Sequence, residues 1–358
     1  MKFLVMSHTH SLLPFAYRLQ LQEGADSVET LVAVQAFEAA WKGKRDSAPR
    51  DDKGRITADH LASVFKRAAD DEATIITDDW NLQGKISHQA IVSRLNIYGV
   101  HAQGHTNTDG LTSLIRLGGW FDGEDLWAHH LLIVDRGAWP GGMGPAIDGA
   151  MTMIRVDEKP ARDLIDLLTQ KWCEELKSKG FRGLVQWSLN FQTDTGEPVA
   201  DRMEAGWPFL HSHAFISELE DFSSLLSDSG EAATVGHRTL LPKKFVTVYP
   251  ISRPPWPTRK ARFRFDLVPV EGLTPQQQAR VFWHDVQVDP VAQSLSTAGL
   301  DGLVGVARGV GDTNELALVR ALEVGLRLRM PEKQFRVDAG RTVQSALAEL
   351  EGRFGVLV

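Results

Sequence analysis

The chain has 358 residues, of which 43% are hydrophobic and 24% charged; this balance predicts two or three compact domains and excludes a disordered or fibrous protein. It has one cysteine, so the sequence can build neither a disulfide framework nor a cysteine-rich zinc site. The formal net charge of −7 excludes a general electrostatic attraction to nucleic acid and allows only a local basic patch.

The N-terminal part predicts an open α/β unit. Apolar runs at 2–6 and 73–77 are typical of buried parallel strands, and helical patterns at 27–42 and 58–69 lie between them. The first run is too short for a signal-peptide core or a membrane span, so we expect a cytoplasmic protein with no membrane partner. The polar, glycine-punctuated run at 99–110 predicts a linker.

Beyond this linker the pattern changes to strands around one long helix. The patterns at 129–135 and 183–192 predict strands, and 198–204 is predicted to pair with the second of these in a hairpin. The pattern at 160–179 predicts an amphipathic helix. Further strands are predicted at 245–250 and 302–309, followed by a helix at 313–328. We therefore predict an N-terminal α/β domain over 1–100, a core domain over 101–235 and a C-terminal domain over 236–358.

A glycine-rich segment, WPGGMGP at 139–145, follows the predicted strand that ends at Asp135. Its glycines let backbone N–H groups approach an anion closely, because no side chain intervenes. The alternative is a plain glycine-rich turn. With the hairpin at 183–204, the strand, turn and helix at 302–328, and QFRVDAGR at 334–341, this segment resembles phosphoribosylamine-glycine ligases, which are ATP-grasp enzymes. The resemblance covers 120–345 well and 1–100 loosely.

The resemblance implies a substrate site formed by the glycine-rich wall and by basic residues near the C-terminus, where a guanidinium can hold a carboxylate or phosphate. The substrate-binding candidates from these two segments are Gly141, Gly142, Met143, Gly144, Arg336, Asp338 and Arg341. For Arg336 the alternative is a surface arginine paired with Asp338.

The departures from the family bear on the nucleotide. Only residues 99–119, which contain no lysine, stand where the family has its lid over the ATP phosphates. Glu204 matches a family metal ligand, but Gly206 stands where the family has an asparagine. We therefore expect an α/β (α+β) ATP-grasp-like fold, shortened by the loss of the lid, with a β-rich C-terminal domain and neither metal nor other cofactor.

Histidines stand at two places where the family has other residues. His211 and His213 are spaced to share one face of a strand and, with Glu204, are the catalytic candidates; a structural role is the alternative, because no third metal ligand is visible. The first loop, SHTHSLLPFA at 7–16, has no glycine, and His8 and His10 are candidates for binding substrate. A capped helix start with exposed histidines is the alternative there.

A basic, aromatic run occupies 253–265 in this acidic chain. Basic side chains neutralise phosphates and aromatic faces stack on bases, whereas the alternative is an edge strand protected by exposed basic residues. The nucleic-acid candidates are Arg253, Trp256, Arg259, Lys260, Arg262 and Arg264.

These observations favour an ATP-independent transferase that joins glycine or another amino acid to a pre-activated acceptor. The resemblance suggests phosphorylated 5-hydroxymethyluracil in bacteriophage DNA, a thymidine hypermodification that evades host restriction, with the protein in the host cytoplasm. One alternative is a phosphoribosylamine-glycine ligase-like enzyme of purine biosynthesis that needs ATP and magnesium. The other is a non-catalytic binding protein.

Overall fold

A computed structural model describes most of the chain. The described residues are 1–7, 11–32, 48–52, 56–78, 97–98, 115–145, 147–191, 195, 197–227, 240–242, 244–257, 267–289, 291–292, 294–299 and 301–354. They form a mixed α/β fold in which a small parallel sheet precedes a large antiparallel one. Among these residues no helix is long and apolar enough to cross a membrane.

The N-terminal sheet is parallel and has the strand order β2-β1-β3-β4. Its strands are β1 (Phe3–Ser7), β2 (Val28–Val32), β3 (Thr74–Thr77) and β4 (Ile97–Tyr98). Helix α1 (Leu13–Glu23) has a proline in its first turn and ends at Gly24, whose φ of 87° suits glycine. Helix α2 (Ala58–Asp70) lies where the pattern at 58–69 predicted it.

The helix predicted at 27–42 is wrong at its start, because Val28–Val32 forms strand β2. The segment VETLV is rich in β-branched residues, and it pairs in parallel with β1. Such side chains pack well on a pleated surface, so the sheet environment decides the local structure. Residues 33–42 of that prediction lie outside the described residues.

The large sheet has eight antiparallel strands in the order β12-β15-β10-β7-β6-β5-β8-β9. They are β5 (Ile115–Phe121), β6 (Leu126–Arg136), β7 (Asp148–Arg155), β8 (Gly183–Phe191), β9 (Pro198–Gly206), β10 (Phe245–Ser252), β12 (Val281–Trp283) and β15 (Leu303–Gly311). The predicted hairpin is confirmed as β8 and β9. The boundary predicted at 235/236 stays a prediction, and residues on both sides of it contribute strands to this sheet.

Each face of the large sheet carries its own core, because successive side chains of a strand point to opposite sides. On one face Leu132 and Met153 belong to an apolar cluster with helix α4 (Phe209–Glu218) and with α1. On the other face Trp187 packs with helices α3 (Lys159–Ser178) and α8 (Arg341–Phe354). Each large apolar side chain buried in this way contributes roughly 1.5–3 kcal/mol.

The remaining elements complete the C-terminal part. Helix α7 (Asn314–Arg327) begins at Thr313, whose hydroxyl accepts the Leu316 N–H as an N-cap, and it packs on β15 and β10. A three-stranded sheet has the order β11-β14-β13. The elements not yet named are α5 (Phe222–Ser227), β11 (Pro269–Val270), α6 (Pro275–Gln278), β13 (Val286–Val288) and β14 (Leu295–Thr297).

Candidate functional site

The β8–β9 hairpin places Glu204 directly opposite Gln186. The Gln186 side-chain amide donates a hydrogen bond of 2.6 Å from Nε2 to Glu204 Oε2. Gln186 also lies opposite Gly118 of β5. Residues opposite each other share a sheet face, so these three lie together on the face that α4 covers.

An ion pair lies beside this group. The Arg116 guanidinium donates two hydrogen bonds of 2.7 Å to the two carboxylate oxygens of Asp148, a bidentate geometry. Burial raises the pKa of the Glu204 carboxyl, while the Gln186 hydrogen bond and the Arg116 charge oppose that rise. Glu204 is therefore a better proton acceptor than an ordinary glutamate, and its residue remains partly exposed.

The prediction that His211 and His213 share a strand face is wrong, because both lie on helix α4, which begins after Pro208. Residues at i and i+2 of a helix point in different directions. His211 lies over the large sheet at Gly118, where an added Cβ would stand 2.8 Å from His211 Cε1. His213 instead contacts the rings of Phe15 and Phe282.

His211 ends a buried chain of polar groups. Glu218 Oε2 lies 3.0 Å from His130 Nε2, and His130 Nδ1 lies 3.4 Å from His211 Nε2. A carboxylate accepts hydrogen bonds, so we assign a hydrogen to His130 Nε2, which donates to Glu218. We likewise assign a hydrogen to His211 Nε2, which donates to His130 Nδ1. This leaves a lone pair on His211 Nδ1, a buried atom with no hydrogen-bond partner.

The electrostatic setting keeps His211 neutral. Burial lowers the pKa of His211 well below its usual 6.5, and the positive charge of Arg116 lowers it further. At the Glu218 end of this row of polar groups, Arg155 Nη1 donates a hydrogen bond of 2.8 Å to Glu218 Oε1. The lowered pKa makes His211 a weak proton acceptor, so its buried Nδ1 lone pair suits a hydrogen bond rather than proton transfer.

His213 occupies a separate, apolar setting. Its Nδ1 lies 2.5 Å from the Phe209 carbonyl oxygen, and its Nε2 lies 2.9 Å from His284 Nε2. Burial lowers its pKa to about 4, although the Phe209 carbonyl opposes this. These contacts tie α4 to α1 and to the segment after β12, so the geometry gives His213 a structural role.

The glycine-rich segment at 139–145 is hydrogen-bonded to the segment at 334–342, between the end of β6 and the start of α8. We call these two hydrogen-bonded segments the clasp. Arg336 is 4% exposed. Its Nη1 donates to the Arg136 and Gly137 carbonyls at 2.8 and 2.9 Å, and its Nε donates to Asp338 at 2.8 Å. The Gly141 N–H donates to Asp338 Oδ2 at 2.7 Å. The loop amide thus holds an anion, which is the protein's own carboxylate.

Asp135, near the end of β6, also bonds to the clasp. Its carboxylate accepts a hydrogen bond of 2.6 Å from the Gly340 N–H and one of 2.5 Å from the Thr342 hydroxyl. Beside the clasp lies an open groove of about 510 Å³, lined by Trp139, Pro140, Lys333, Gln334, Phe335 and Val337. Four further candidates are exposed: Gly142, Met143, Gly144 and Arg341. The role of the clasp residues in binding substrate stays a prediction.

The other candidates are only partly described. His8, His10, Arg259, Lys260, Arg262 and Arg264 lie outside the described residues. Arg253 is buried, and its Nη2 donates 2.9 Å to Glu332, so this guanidinium is already paired. Trp256 is half-buried.

Sequence reasoning missed Arg116, Asp148, Gln186, His130 and Glu218. The signal for Gln186 was an amide within the apolar start of strand β8, GLVQW, and for His130 it was the pair HH within strand β6. Within the described part of the chain, no group of three His, Cys, Asp or Glu side chains is placed to hold a metal ion.

Comparisons with known proteins give a fold and no family. No known family profile and no curated protein matches the chain. Phosphoribosylamine-glycine ligase from Thermotoga maritima matches at a TM-score of 0.50 with 12% identity, over 94% of this chain and 100% of that one. Kluyveromyces lactis urea carboxylase matches at 0.55 with 10% identity, over 98% of this chain and 32% of that one.

Rhizobium etli pyruvate carboxylase matches at a TM-score of 0.57 with 9% identity, over 91% of this chain and 38% of that one. The chain thus spans about a third of each of these carboxylases. The neighbours are ligase and carboxylase enzymes, and they confirm a distant ATP-grasp-like fold. The loss of the lid stays a prediction, since residues 99–114 lie outside the described chain.

Proposed function

We propose that the protein is an ATP-independent transferase that joins the amine of glycine, or of another amino acid, to an acceptor that a different enzyme has already activated. The observation that carries this proposal is the Glu204 carboxylate, whose pKa is raised and whose partner across the hairpin is the neutral Gln186. Such a carboxylate suits proton transfer from an amine.

The reaction needs a neutral amine, because an ammonium group has no lone pair. Glu204 takes one proton from the ammonium group, and the neutral nitrogen then forms a bond to the acceptor carbon, which gives a secondary ammonium group. The carbon–oxygen bond to the phosphate breaks at the same centre, and the phosphate leaves with the bonding electrons. His211 lies close to Gly118 on the same face, but its burial and lowered pKa suit a neutral hydrogen-bonding group rather than a base, so Glu204 is the proton acceptor of the proposed site.

The hairpin is less suited to a magnesium–nucleotide complex. Magnesium sites in ATP-using enzymes are built from one or two carboxylates together with the substrate phosphates. Here Gln186 directs an N–H donor at Glu204, and the nearby Arg116 adds a positive charge that repels a cation. A pre-activated acceptor removes the need for ATP, because its leaving phosphate is already in place.

We further propose phosphorylated 5-hydroxymethyluracil in phage DNA as the acceptor, a base hypermodification that protects DNA from host restriction. Its support is chemical: the acceptor carries the leaving group that the reaction needs, and the basic residues between 259 and 264 offer charges for a DNA backbone, whereas Arg253 is already paired with Glu332. The reacting base would leave the stack to reach the site.

The experiment is a transfer assay with radiolabelled glycine and DNA that contains the phosphorylated base, with and without ATP and magnesium. We expect label in DNA without ATP, and a loss of roughly 100-fold or more in Glu204→Gln. Glu197→Gln changes an exposed glutamate immediately before strand β9 and is the matched control.

Two outcomes would overturn the proposal. Product formation only with phosphoribosylamine and ATP would establish the ligase. No product with either acceptor, although glycine binds, would favour a binding protein.

A further inference from the structure

Two arginines meet where α1 packs on the large sheet. Phe15 of α1 contacts Phe282 of β12 edge to face, with ring centroids 5.9 Å apart. Arg18 lies one turn after Phe15 and therefore on the same side of α1. Arg308 of β15 places its guanidinium carbon 5.6 Å from the centre of the Phe282 ring. The two guanidinium groups lie close enough for the positive charge of Arg308 to act on Arg18.

Neither arginine has a carboxylate within ion-pair distance among the described residues. Arg18 Nη2 donates 3.1 Å to the Leu219 carbonyl, and its Nη1 is buried without a hydrogen-bond partner. Arg308 Nη2 donates 3.2 Å to the Ala279 carbonyl. The acid near Arg18 is Asp221, whose carboxylate accepts hydrogen bonds from Ser223 and Ser224.

The electrostatics of this junction are unfavourable without an anion. Burial and then the positive charge of Arg308 lower the pKa of Arg18 to about 10. Burial and then the charge of Arg280 lower the pKa of Arg308 to about 10. Arg280 is itself paired with Glu323 at 3.0 Å. Two positive charges that are partly buried near each other repel, and a bound anion would reduce that repulsion.

We propose that Arg18 and Arg308 form a binding subsite for a phosphate group. Guanidinium groups bind phosphate oxygens through paired N–H donors. Arg18 Nη1 has no hydrogen-bond partner and can therefore donate to such an oxygen. The subsite does not depend on the proposed transfer reaction.

The subsite is too far from Glu204 to hold the leaving phosphate. Strands β15 and β9 are six positions apart in the sheet order. At about 4.8 Å per strand, this separates them by roughly 29 Å. The ligand is therefore a second phosphate, either one further along a nucleic-acid backbone or one in a free polyphosphate.

The test measures both sources on the full chain. Inorganic pyrophosphate is titrated by calorimetry, and a fluorescein-labelled single-stranded DNA of about 20 nucleotides, several times the site size of a typical single-strand-binding fold, is titrated by anisotropy at several salt concentrations. The variants are Arg18→Gln with Arg308→Gln, and Arg308→Lys, which keeps the charge. Arg320→Gln is the matched control, since Arg320 donates to a carbonyl of the same strand β15.

We expect the double variant to weaken at least one probe about tenfold or more, with Arg308→Lys intermediate and Arg320→Gln unchanged. Weakening of DNA alone, with a salt slope smaller by about 0.7, assigns a backbone phosphate. Weakening of pyrophosphate alone assigns a free anion.

Thermal melting of each variant without a probe shows whether the variant is folded. With a probe present, we expect the melting temperature to rise for the wild type and not for the double variant. The proposal is overturned if the double variant binds both probes as tightly as the wild type, or if the wild type binds neither. Either result can occur whether or not glycine is transferred, so it is distinguishable from a failure of the proposed function.

Discussion

His213 is expected to lower the stability of the folded protein in mild acid. The side chain is 1% exposed, and its folded pKa is about 4 against 6.5 for an unperturbed histidine. Between these values the unfolded chain binds a proton that the folded chain does not, so stability falls as the pH is lowered from 6.5 towards 4. Above 6.5 the full contribution is present, and below 4 both states are protonated.

The size of the effect follows from the two values. The difference between 6.5 and about 4, at about 1.36 kcal/mol per pH unit, gives a maximum near 3.4 kcal/mol. About 2.4 kcal/mol of this is lost between pH 7 and pH 4.5. Other titrating groups add their own pH dependence, so the informative quantity is the difference between wild type and a variant.

The assay is urea unfolding at pH 7 and pH 4.5, followed by tryptophan fluorescence. We expect His213→Phe to lose about 2.4 kcal/mol less than wild type over this range, because the aromatic ring keeps its packing and cannot titrate. His284 faces the same site at 2.9 Å and stays in the variant.

The reasoning is refuted if His213→Phe and wild type lose the same free energy of unfolding. Should the variant not fold, proton NMR of the wild type gives the answer directly. A His213 titration midpoint near 6.5 would then contradict burial as the cause.

Three further predictions concern the site and the clasp. Glu204→Gln should remove the acidic limb of the pH–rate profile, a limb expected above the usual glutamate range because burial raises this pKa; an unchanged profile would exclude Glu204 as the base. Gly118→Ala should cost about 1–3 kcal/mol in denaturant unfolding, since its Cβ would meet His211 at 2.8 Å, whereas Gly352→Ala, with open space in α8, should be neutral or stabilising. Asp135→Asn should cost about 1–3 kcal/mol and speed amide exchange at the start of α8, because the clasp loses an ionised acceptor; equal exchange in this variant and in the exposed control Asp163→Asn would refute that role.

Apolar periodicity predicted most of the sheet. The strands at 129–135, 183–192, 198–204, 245–250 and 302–309 and the helices at 160–179 and 313–328 are confirmed. Their patterns are long, and local alternation reflects which face is buried. The prediction failed at Val28–Val32 and at the run that became α4, where short apolar segments fit either structure and pairing or packing decides.

The candidate site was harder to predict because its contacts cross the sheet. Glu204 could be chosen from the hairpin resemblance, whereas Arg116 and Asp148 lie 32 residues apart and meet only through strand register. The chain of His130, His211 and Glu218 joins β6 to α4 across 88 residues. No spacing within one element reports such pairs, since they depend on how elements pack.

Charge balance decides which ligand the hairpin favours. Arg116 carries one positive charge and Asp148 and Glu204 one negative charge each, so the group holds a net charge of −1 when both carboxylates are ionised. A single ammonium group neutralises that charge and can donate to Glu204. A divalent cation would overcompensate it and would also face Arg116, at a cost that an interior of low dielectric enlarges. Replacing Gln186 by glutamate should therefore shift the group to −2 and create magnesium binding measurable by calorimetry. If wild type already binds magnesium as tightly as Gln186→Glu, the argument for an amine at this position fails.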